Sequence, residues 1–376
     1  MYRESHSLWG EPDCARVHAH GGRTGGGEGM VENIFCSESA FAYFRTPPQV
    51  LAALPELPIA RDRTTRANLH KEPAFEEIFG VKAHRLVLDQ GARPATKSFK
   101  THIWPGDLPS DAIWDVPVID KVTSPLFTLL LLARGHDVLE LAIAMHEMCG
   151  KFCVYEPTGE CAKKAAVAGH QYGWRCVTDA SGKPGDLWMR PPIIEIDELH
   201  RYAEKMCECR GGRRFQAAAD LVQGVTLSPF EVKAAMLLGA PRSRGGYGFS
   251  IETNKVMRLS GKGKSLSQRE YCIADIYIEN PKNGRAIDIE CQGEMVHAGA
   301  AAAASDADRT TAIEAEGIDV LLLSHQQLED KERFRLFCEL VAQKLGINLR
   351  PKTVGMEKAE LDLRRELFRD WRRLCS

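Results

Sequence analysis

Two carboxylates are the residues of this sequence best placed to do chemistry. Tyr271-Cys-Ile-Ala-Asp275-Ile-Tyr-Ile278 alternates as a strand, and Arg285-Ala-Ile-Asp288-Ile-Glu290-Cys-Gln292 reads as its return. Between them Asn280-Pro-Lys-Asn-Gly284 is a strong turn signal. A turn centred between Lys282 and Asn283 sets Asp275 opposite Glu290, side chains on one face and roughly 5 Å apart at Cβ. Gln292 and Asp288 share the Glu290 face by the period of two, while Ile287, Ile289 and Cys291 point the other way. Directly opposed carboxylates repel unless positive charge lies between them. Mg²⁺ (or Mn²⁺) is the natural counter-charge, because it takes one or two carboxylates and keeps its other positions for water and phosphate. A register slip of one residue would turn the two side chains to opposite faces and dissolve the pair.

The elements that must position this pair lie on either side of it. Ser228-Pro-Phe-Glu231 opens a helix that runs to about Leu238 and stops at Gly239, and Glu231 completes a capping box with Ser228. After the hairpin an Ala-rich helix runs to Glu316, Gly317 closes it, and Ile318 to Ser324 reads as a buried strand. The unit from Arg285 to Ser324 is strand–helix–strand, so its strands should run parallel through a right-handed crossover. Asp306 and Arg309 are three apart on that helix, the spacing of an intrahelical pair. Between Pro241 and Arg269, the positive residues Arg242, Arg244, Lys255, Arg258, Lys262, Lys264 and Arg269 stand against Glu252 alone. Set among glycines, they read as a flexible basic loop beside the carboxylates, suited to a phosphate backbone; the alternative is a solvated surface loop. Gly263-Lys264-Ser265 is no Walker motif, since Arg258 stands where its first Gly is needed, so no nucleotide cofactor is expected.

Residues 1–29 are Gly-rich without apolar periodicity and read as disordered. Gly-Gly-Glu-Gly before Met30 is what a purine-rich ribosome-binding site gives when translated in frame, so Met30 is expected to be the native start. Residues 30–155 read as a mixed α/β region. Its helices are Ser37 to Phe44 and Pro48 to Leu54, its strands Val81 to Leu88, Ser98 to Trp104 and Val116 to Val122. A helical hairpin follows, opened by Ser124 as N-cap and Pro125 at the first helical position. His102, His136 and His146 in this region carry no role. Residues 156–220, rich in Gly and Pro, read as a connector. It ends in helices Leu199 to Cys207 and Phe215 to Val222 around the basic knot Arg210-Gly-Gly-Arg213-Arg214. Residues 221–350 then form the last domain. In residues 351–376, Leu363, Leu367, Trp371 and Leu374 form an apolar stripe opposite Arg365, Arg369 and Arg372, an amphipathic helix that docks or binds a partner.

Composition narrows the classes. The chain has 376 residues, 44% hydrophobic and 27% charged, which suits an α/β protein of two or three domains. Lys plus Arg (49) nearly balances Asp plus Glu (51), so any nucleic-acid contact needs a local patch. The apolar run Leu126 to Ala133 is far short of the ~20 residues that span a bilayer, and no charged-then-apolar leader opens the chain. A soluble, cytoplasmic protein is expected. The 12 cysteines are scattered and read as reduced core thiols. Cys149, Cys153, Cys161, Cys207 and Cys209 lack the paired spacing of common zinc modules.

Taken together, Ser228-Pro-Phe-Glu231, Asp275, Glu290-Cys-Gln292-Gly293, His297, Asp306-x-x-Arg309 and Gly317-Ile-Asp-Val320 resemble the PD-(D/E)XK nuclease superfamily. In particular they look like its very-short-patch-repair-like endonuclease domains of unknown function. The stretch from Met30 to Cys149, with Phe44-Arg-Thr-Pro-Pro48 and Val122-Thr-Ser-Pro125, is similar to the AbiEi-type abortive-infection antitoxin region that often precedes such domains. The resemblance implies a mixed sheet flanked by helices, Asp275 and Glu290 as metal carboxylates, and Glu231 as an acidic contributor. Gln292 stands where many members carry a catalytic Lys, and the role left to it is to orient the attacking water. His297, Asp306 and Arg309 would be outer supports. The implied activity is Mg²⁺-dependent hydrolysis of DNA phosphodiester bonds in a defence or toxin–antitoxin setting, with a toxin or other protein as partner. The winged helix that opens many such antitoxins is absent. The competing class is non-enzymatic, an antitoxin-like regulator or nucleic-acid binder on a nuclease scaffold whose catalysis has decayed.

Overall fold

The computed structural model describes residues 33–59, 63–80, 82–88, 98–179, 181–292 and 300–376. Residues 1–29, the proposed start at Met30, and His297 lie outside the described residues. Among the described residues the strands form three sheets. The first holds β1 (Ile34–Phe35), β2 (Ala83–Val87), β3 (Phe99–Ile103), β4 (Ile113–Val116) and β5 (Asp120–Thr123) in the order β3-β2-β1-β5-β4. It is mixed, β1 running parallel to β5 and antiparallel to β2. The second holds β6 (Phe152–Val154), β7 (Arg175–Thr178) and β8 (Pro184–Met189) in the order β6-β8-β7. The third holds β9 (Ile251–Arg258), β10 (Tyr271–Asn280), β11 (Arg285–Gln292) and β12 (Ile318–Ser324) in the order β12-β11-β10-β9. Helices flank the sheets, and the architecture is α/β in two main regions.

Local chemistry explains several departures from the sequence reading. The expected single strand over Val116 to Val122 is a hairpin, Val116 pairing with Asp120. Pro117 cannot donate to a ladder, and Val118 and Asp120 both take φ 72, which turns the chain back. Pro125 opens the next helix as expected, but the Ser124 side chain makes no cap bond. The Gly- and Pro-rich stretch 156–220 is more than a connector: it supplies β7 and β8, and buries Trp174 and Trp188 against Val50, Cys153 and Ala165. Pro184 is tolerated because it is the first residue of β8.

One apolar core joins the two regions. Phe41, Phe127, Leu141 and Met145 of the first belong to the same cluster as Leu237, Ile276 and Ile289 of the last. The C-terminal helix Val354–Leu367 and the residues after it are docked on this core, with Leu363, Leu367, Trp371 and Leu374 all buried. The opposing arginines are paired, Arg365 with Asp362, Arg369 with Glu140 and Arg372 with Glu156. No helix among the described residues is long and apolar enough to cross a membrane. The cysteines among them are free thiols, with Cys149 and Cys153 in the interior.

His146 lies within that core, with Nε2 donating to Leu221 O at 3.2 Å and Nδ1 without a partner. Burial pushes its pKa down to about 4, against a small upward pull from the Leu221 carbonyl. The folded state therefore keeps the imidazole neutral while the unfolded chain protonates it below about pH 6.5. Stability should fall as the pH drops from about 6.5 and level off near pH 4, by about 3 kcal/mol from this group. His146→Gln should flatten that limb in melting temperatures recorded from pH 4 to pH 8. Parallel curves for the two proteins would assign the acid sensitivity elsewhere.

The third sheet carries the carboxylates. The β10–β11 ladder runs from Asn280 opposite Arg285 to Ile276 opposite Ile289, which makes Asp275 and Glu290 the next pair outward. The strands β11 and β12 are parallel, as the strand–helix–strand pattern required. However, β12 is an edge strand rather than a buried one, and Leu322 is 51% exposed. The other edge, β9, occupies a stretch expected to be loop. Its neighbours are a short 3-10 turn at Arg242–Arg244 and a helix at Gly261–Ser267. The basic stretch is thus ordered, with Lys255 and Arg258 on a strand and Lys262 and Lys264 on a helix.

Candidate functional site

The helix Pro229–Gly239 brings the first acid. Its start is set by Ser228, whose hydroxyl accepts from Glu231 N at 3.2 Å, and by Pro229 in the first turn. Glu231 folds back over this start: Oε2 accepts from Leu227 N at 2.8 Å and Oε1 from the Ser228 hydroxyl at 3.0 Å. Capping and a place in the acidic cluster are therefore the same geometry. Asn254 of β9 ties the helix to the sheet, its amide donating to Val225 O at 2.9 Å and to Glu231 Oε2 at 3.3 Å. The sequence reading missed Asn254. It has φ 51, a conformation Asn tolerates better than most side chains, and the β9–β10 ladder omits the Asn254–Asp275 pair. The interruption redirects β10: Cys272 and Ala274 pack with Met257 and Ile313, whereas Ile276 and Ile278 face the main core.

The hairpin brings the rest. Asp275 Oδ2 accepts from Cys291 N at 2.9 Å across the strand pair. Glu290 is held by Arg309 in a two-point contact, Nη1 to Oε2 at 2.6 Å and Nη2 to Oε1 at 2.5 Å, and Arg309 also donates to Ile273 O. The protein thus supplies a cation to Glu290, while Asp275 is met by Cys291 N rather than by Arg309. Arg309 reaches back across the crossover to Glu290; the Asp306 side chain, its expected helical neighbour, lies outside the described residues. Asp288 is fully buried, and neither of its oxygens receives a donor. Gln292 is exposed at the end of β11, opposite Ser324.

Asp275 and Asp288 therefore lie in the field of a guanidinium that only Glu290 binds, with the Glu231 charge beside them, and their proton affinities record the crowding. Burial, then the charges of Glu290 and Glu231, push Asp275 up to about 7. Burial, then Glu290 as the acceptor that only a protonated Asp288 could satisfy, pushes Asp288 up to about 9. Burial also raises Glu231, against the bonds from Leu227, Ser228 and Asn254. Burial opposes the charge of Arg309, but its bonds to Glu290 outweigh that and hold it protonated.

The basic residues divide into two groups. Arg242 donates to the carbonyls of Arg350 and Pro351, both at 2.8 Å. Lys255 pairs with Glu252 at 2.8 Å and lies 3.7 Å over the Tyr277 ring. Those two side chains are committed to the fold, whereas Arg244, Arg258, Lys262, Lys264 and Arg269 are exposed. Elsewhere, Arg210, Arg213 and Arg214 of the basic knot line a cleft of about 390 Å³ together with Arg134.

Among the described residues, the groups of three or more side chains whose metal-ligating atoms lie within 4.8 Å of one another are in the first region, and the carboxylates around Glu290 are not among them. Glu38, His84 and His102 form one such group, and His136, Glu140 and Cys375 another. His102 and His136, given no role from the sequence, thus belong to a candidate metal-coordinating cluster. His84 went unnoticed, because ligands drawn from a helix and two strands leave no spacing signature. No family model matches the chain, and no curated protein or solved structure is significantly similar to it.

Proposed function

We propose that the last region binds a divalent cation at Asp275 and Glu290 and hydrolyses phosphodiester bonds of DNA, as the PD-(D/E)XK resemblance implies. The observation that carries this reading is the crowding of Asp275, Asp288 and Glu290 on the hairpin, with Glu231 of the helix close enough for its charge to raise Asp275, around an Arg309 that, of the four, binds Glu290 alone. The donor set fits Mg²⁺ or Mn²⁺: it is all oxygen, in negative excess, and Asp288 leaves two buried oxygens without donors. Glu290 would exchange Arg309 for the ion. When bound, such an ion supplies a water of lowered pKa and neutralises charge on phosphate oxygens. The chain's own residues do the rest. Cys291 N orients Asp275, and Glu231 is fixed behind it by Leu227 N and the Ser228 hydroxyl. The exposed Gln292 amide orients water at the rim. Arg309, released from Glu290, provides the positive charge that Gln292 lacks. Arg244, Arg258, Lys262, Lys264 and Arg269 offer contacts to a phosphate backbone. A defence or toxin–antitoxin role with a protein partner belongs to the same proposal.

The two-point Arg309–Glu290 contact and the uncharged Gln292 favour a second reading, a nucleic-acid-binding or antitoxin-like scaffold without catalysis. Metal response separates the two. Mg²⁺ or Mn²⁺ should raise the melting temperature of the wild type, and Glu290→Gln should abolish the shift. Cleavage of single-stranded, double-stranded or mismatched DNA should follow the same pattern. A metal shift without cleavage of any substrate would favour the scaffold, and no shift would remove the metal site.

A further inference from the structure

We propose that Glu38, His84 and His102 form a second metal site, of zinc class, that pins the edge of the first sheet. The site is independent of the carboxylates around Glu290. Glu38 lies in the first turn of the helix Ser37–Arg45, His84 on β2 and His102 on β3, the edge strand. Leu86 of β2 is the parallel neighbour of His102, so His84, two residues earlier, shares its face. The helix start is bolted to the strand at this point, since His84 N donates to the Ser39 hydroxyl at 2.7 Å and Cys36 N to His84 O at 3.0 Å.

Three lone-pair-bearing atoms meet here with too few protons between them. His84 Nδ1 faces Glu38 Oε2 at hydrogen-bond distance or closer, and it also faces His102 Nε2 at 3.2 Å. If His84 Nδ1 carries a proton and donates it to Glu38, His102 Nε2 is left beside a donor already used. If His102 donates to His84 instead, the His84 lone pair faces a carboxylate. No neutral arrangement of the two rings satisfies both contacts. A cation would satisfy all three: the 3.2 Å between ring nitrogens is close to a tetrahedral edge for bonds of about 2.0–2.1 Å, while the closer His84–Glu38 contact has to open to admit it. Two imidazoles and one carboxylate suit Zn²⁺ rather than Mg²⁺.

The outer shell is already in place. His136 donates to Glu38 Oε1 at 3.3 Å and to Glu140 Oε2 at 2.8 Å, which leaves Oε2 of Glu38 for the histidines. Glu140 is in turn held by Arg369 at 2.6 Å and by Cys375 N at 3.1 Å. Lys100, 3.8 Å from Glu38 Oε1 and 55% exposed, is free to swing away. The Glu38 and His84 side chains are 16% and 12% exposed, enough for an ion to enter.

The test is titration of the full chain, stripped with a chelator, with Zn²⁺ and Co²⁺. With excess Mg²⁺ present to occupy the carboxylates around Glu290, one equivalent should bind per chain. The Co²⁺ form should show ligand-field bands without thiolate charge-transfer absorption, which separates this site from the cysteines. His102→Gln and His84→Gln should each weaken binding at least about tenfold. Should His84→Gln fail to fold, the Co²⁺ spectrum of the wild type and His102→Gln still decide. Absence of binding, thiolate absorption, or wild-type affinity in His102→Gln would overturn the site and leave a hydrogen-bonded relay.

Discussion

Arg309→Met should cost about 2–4 kcal/mol of folding stability in metal-free buffer, and Mg²⁺ should return much of it. Removing one partner of a buried ion pair costs about 3–5 kcal/mol, and the 20% and 15% exposure of Arg309 and Glu290 discounts that figure. The loss is large because Glu290 is left beside Asp275 and Asp288 with no cation, and Ile273 O loses its donor. An ion that takes the vacated place binds only the folded state, and at about 100 times its Kd it restores about 2.7 kcal/mol. In the wild type the ion must displace a guanidinium, so its Mg²⁺ response should be smaller than that of Arg309→Met. Adding Glu290→Gln to Arg309→Met should recover stability without metal and abolish the response to it. Urea midpoints with and without Mg²⁺ measure all of these. Equal losses for Arg309→Met in both buffers would make Arg309 a purely structural partner and end the metal reading of this site.

Where the fold was legible, the signal was local. The Asn280–Gly284 turn fixed the β10–β11 register, because a short turn leaves the pairing little freedom. Ser228 and Pro229 announced their helix through short-range capping chemistry. The stripe Leu363, Leu367, Trp371 and Leu374 announced a docked helix through its period. Illegibility came from two sources. Edge strands lack the two-sided burial that makes a pattern, so the charged, glycine-flanked β9 read as loop and the apolar β12 read as buried. Long-range partnerships leave no spacing at all. Arg309 could be placed on a helix face, but nothing in the sequence says that it turns to Glu290 across the crossover. In the same way Glu38, His84 and His102 meet only because a helix start packs over two parallel strands.

Arg45→Met should lower stability by about 3–5 kcal/mol and loosen the C-terminal segment. Arg45 is buried, and its Nε donates to Glu147 Oε1 at 2.7 Å while Nη2 donates to Trp371 O at 2.7 Å. Glu147 has no exposure, and its Oε2 already lacks a hydrogen-bond partner, so loss of Arg45 leaves a buried carboxylate with a hydrogen bond from Val154 N at 3.2 Å and the nearby charge of Arg190. Arg45→Lys should recover only part of the loss, since one ammonium cannot reproduce the fork that spans Glu147 and the Trp371 carbonyl. Arg45→Met combined with Glu147→Leu should regain most of what the single change costs, because the stranded charge is gone. The double variant still leaves the Trp371 carbonyl without its donor. Proteolysis near Trp371 should therefore stay faster than in the wild type even where the melting temperature recovers. A single Arg45→Met variant within about 0.5 kcal/mol of wild type would show that Glu147 finds other relief, and that the docked C-terminus does not depend on Arg45.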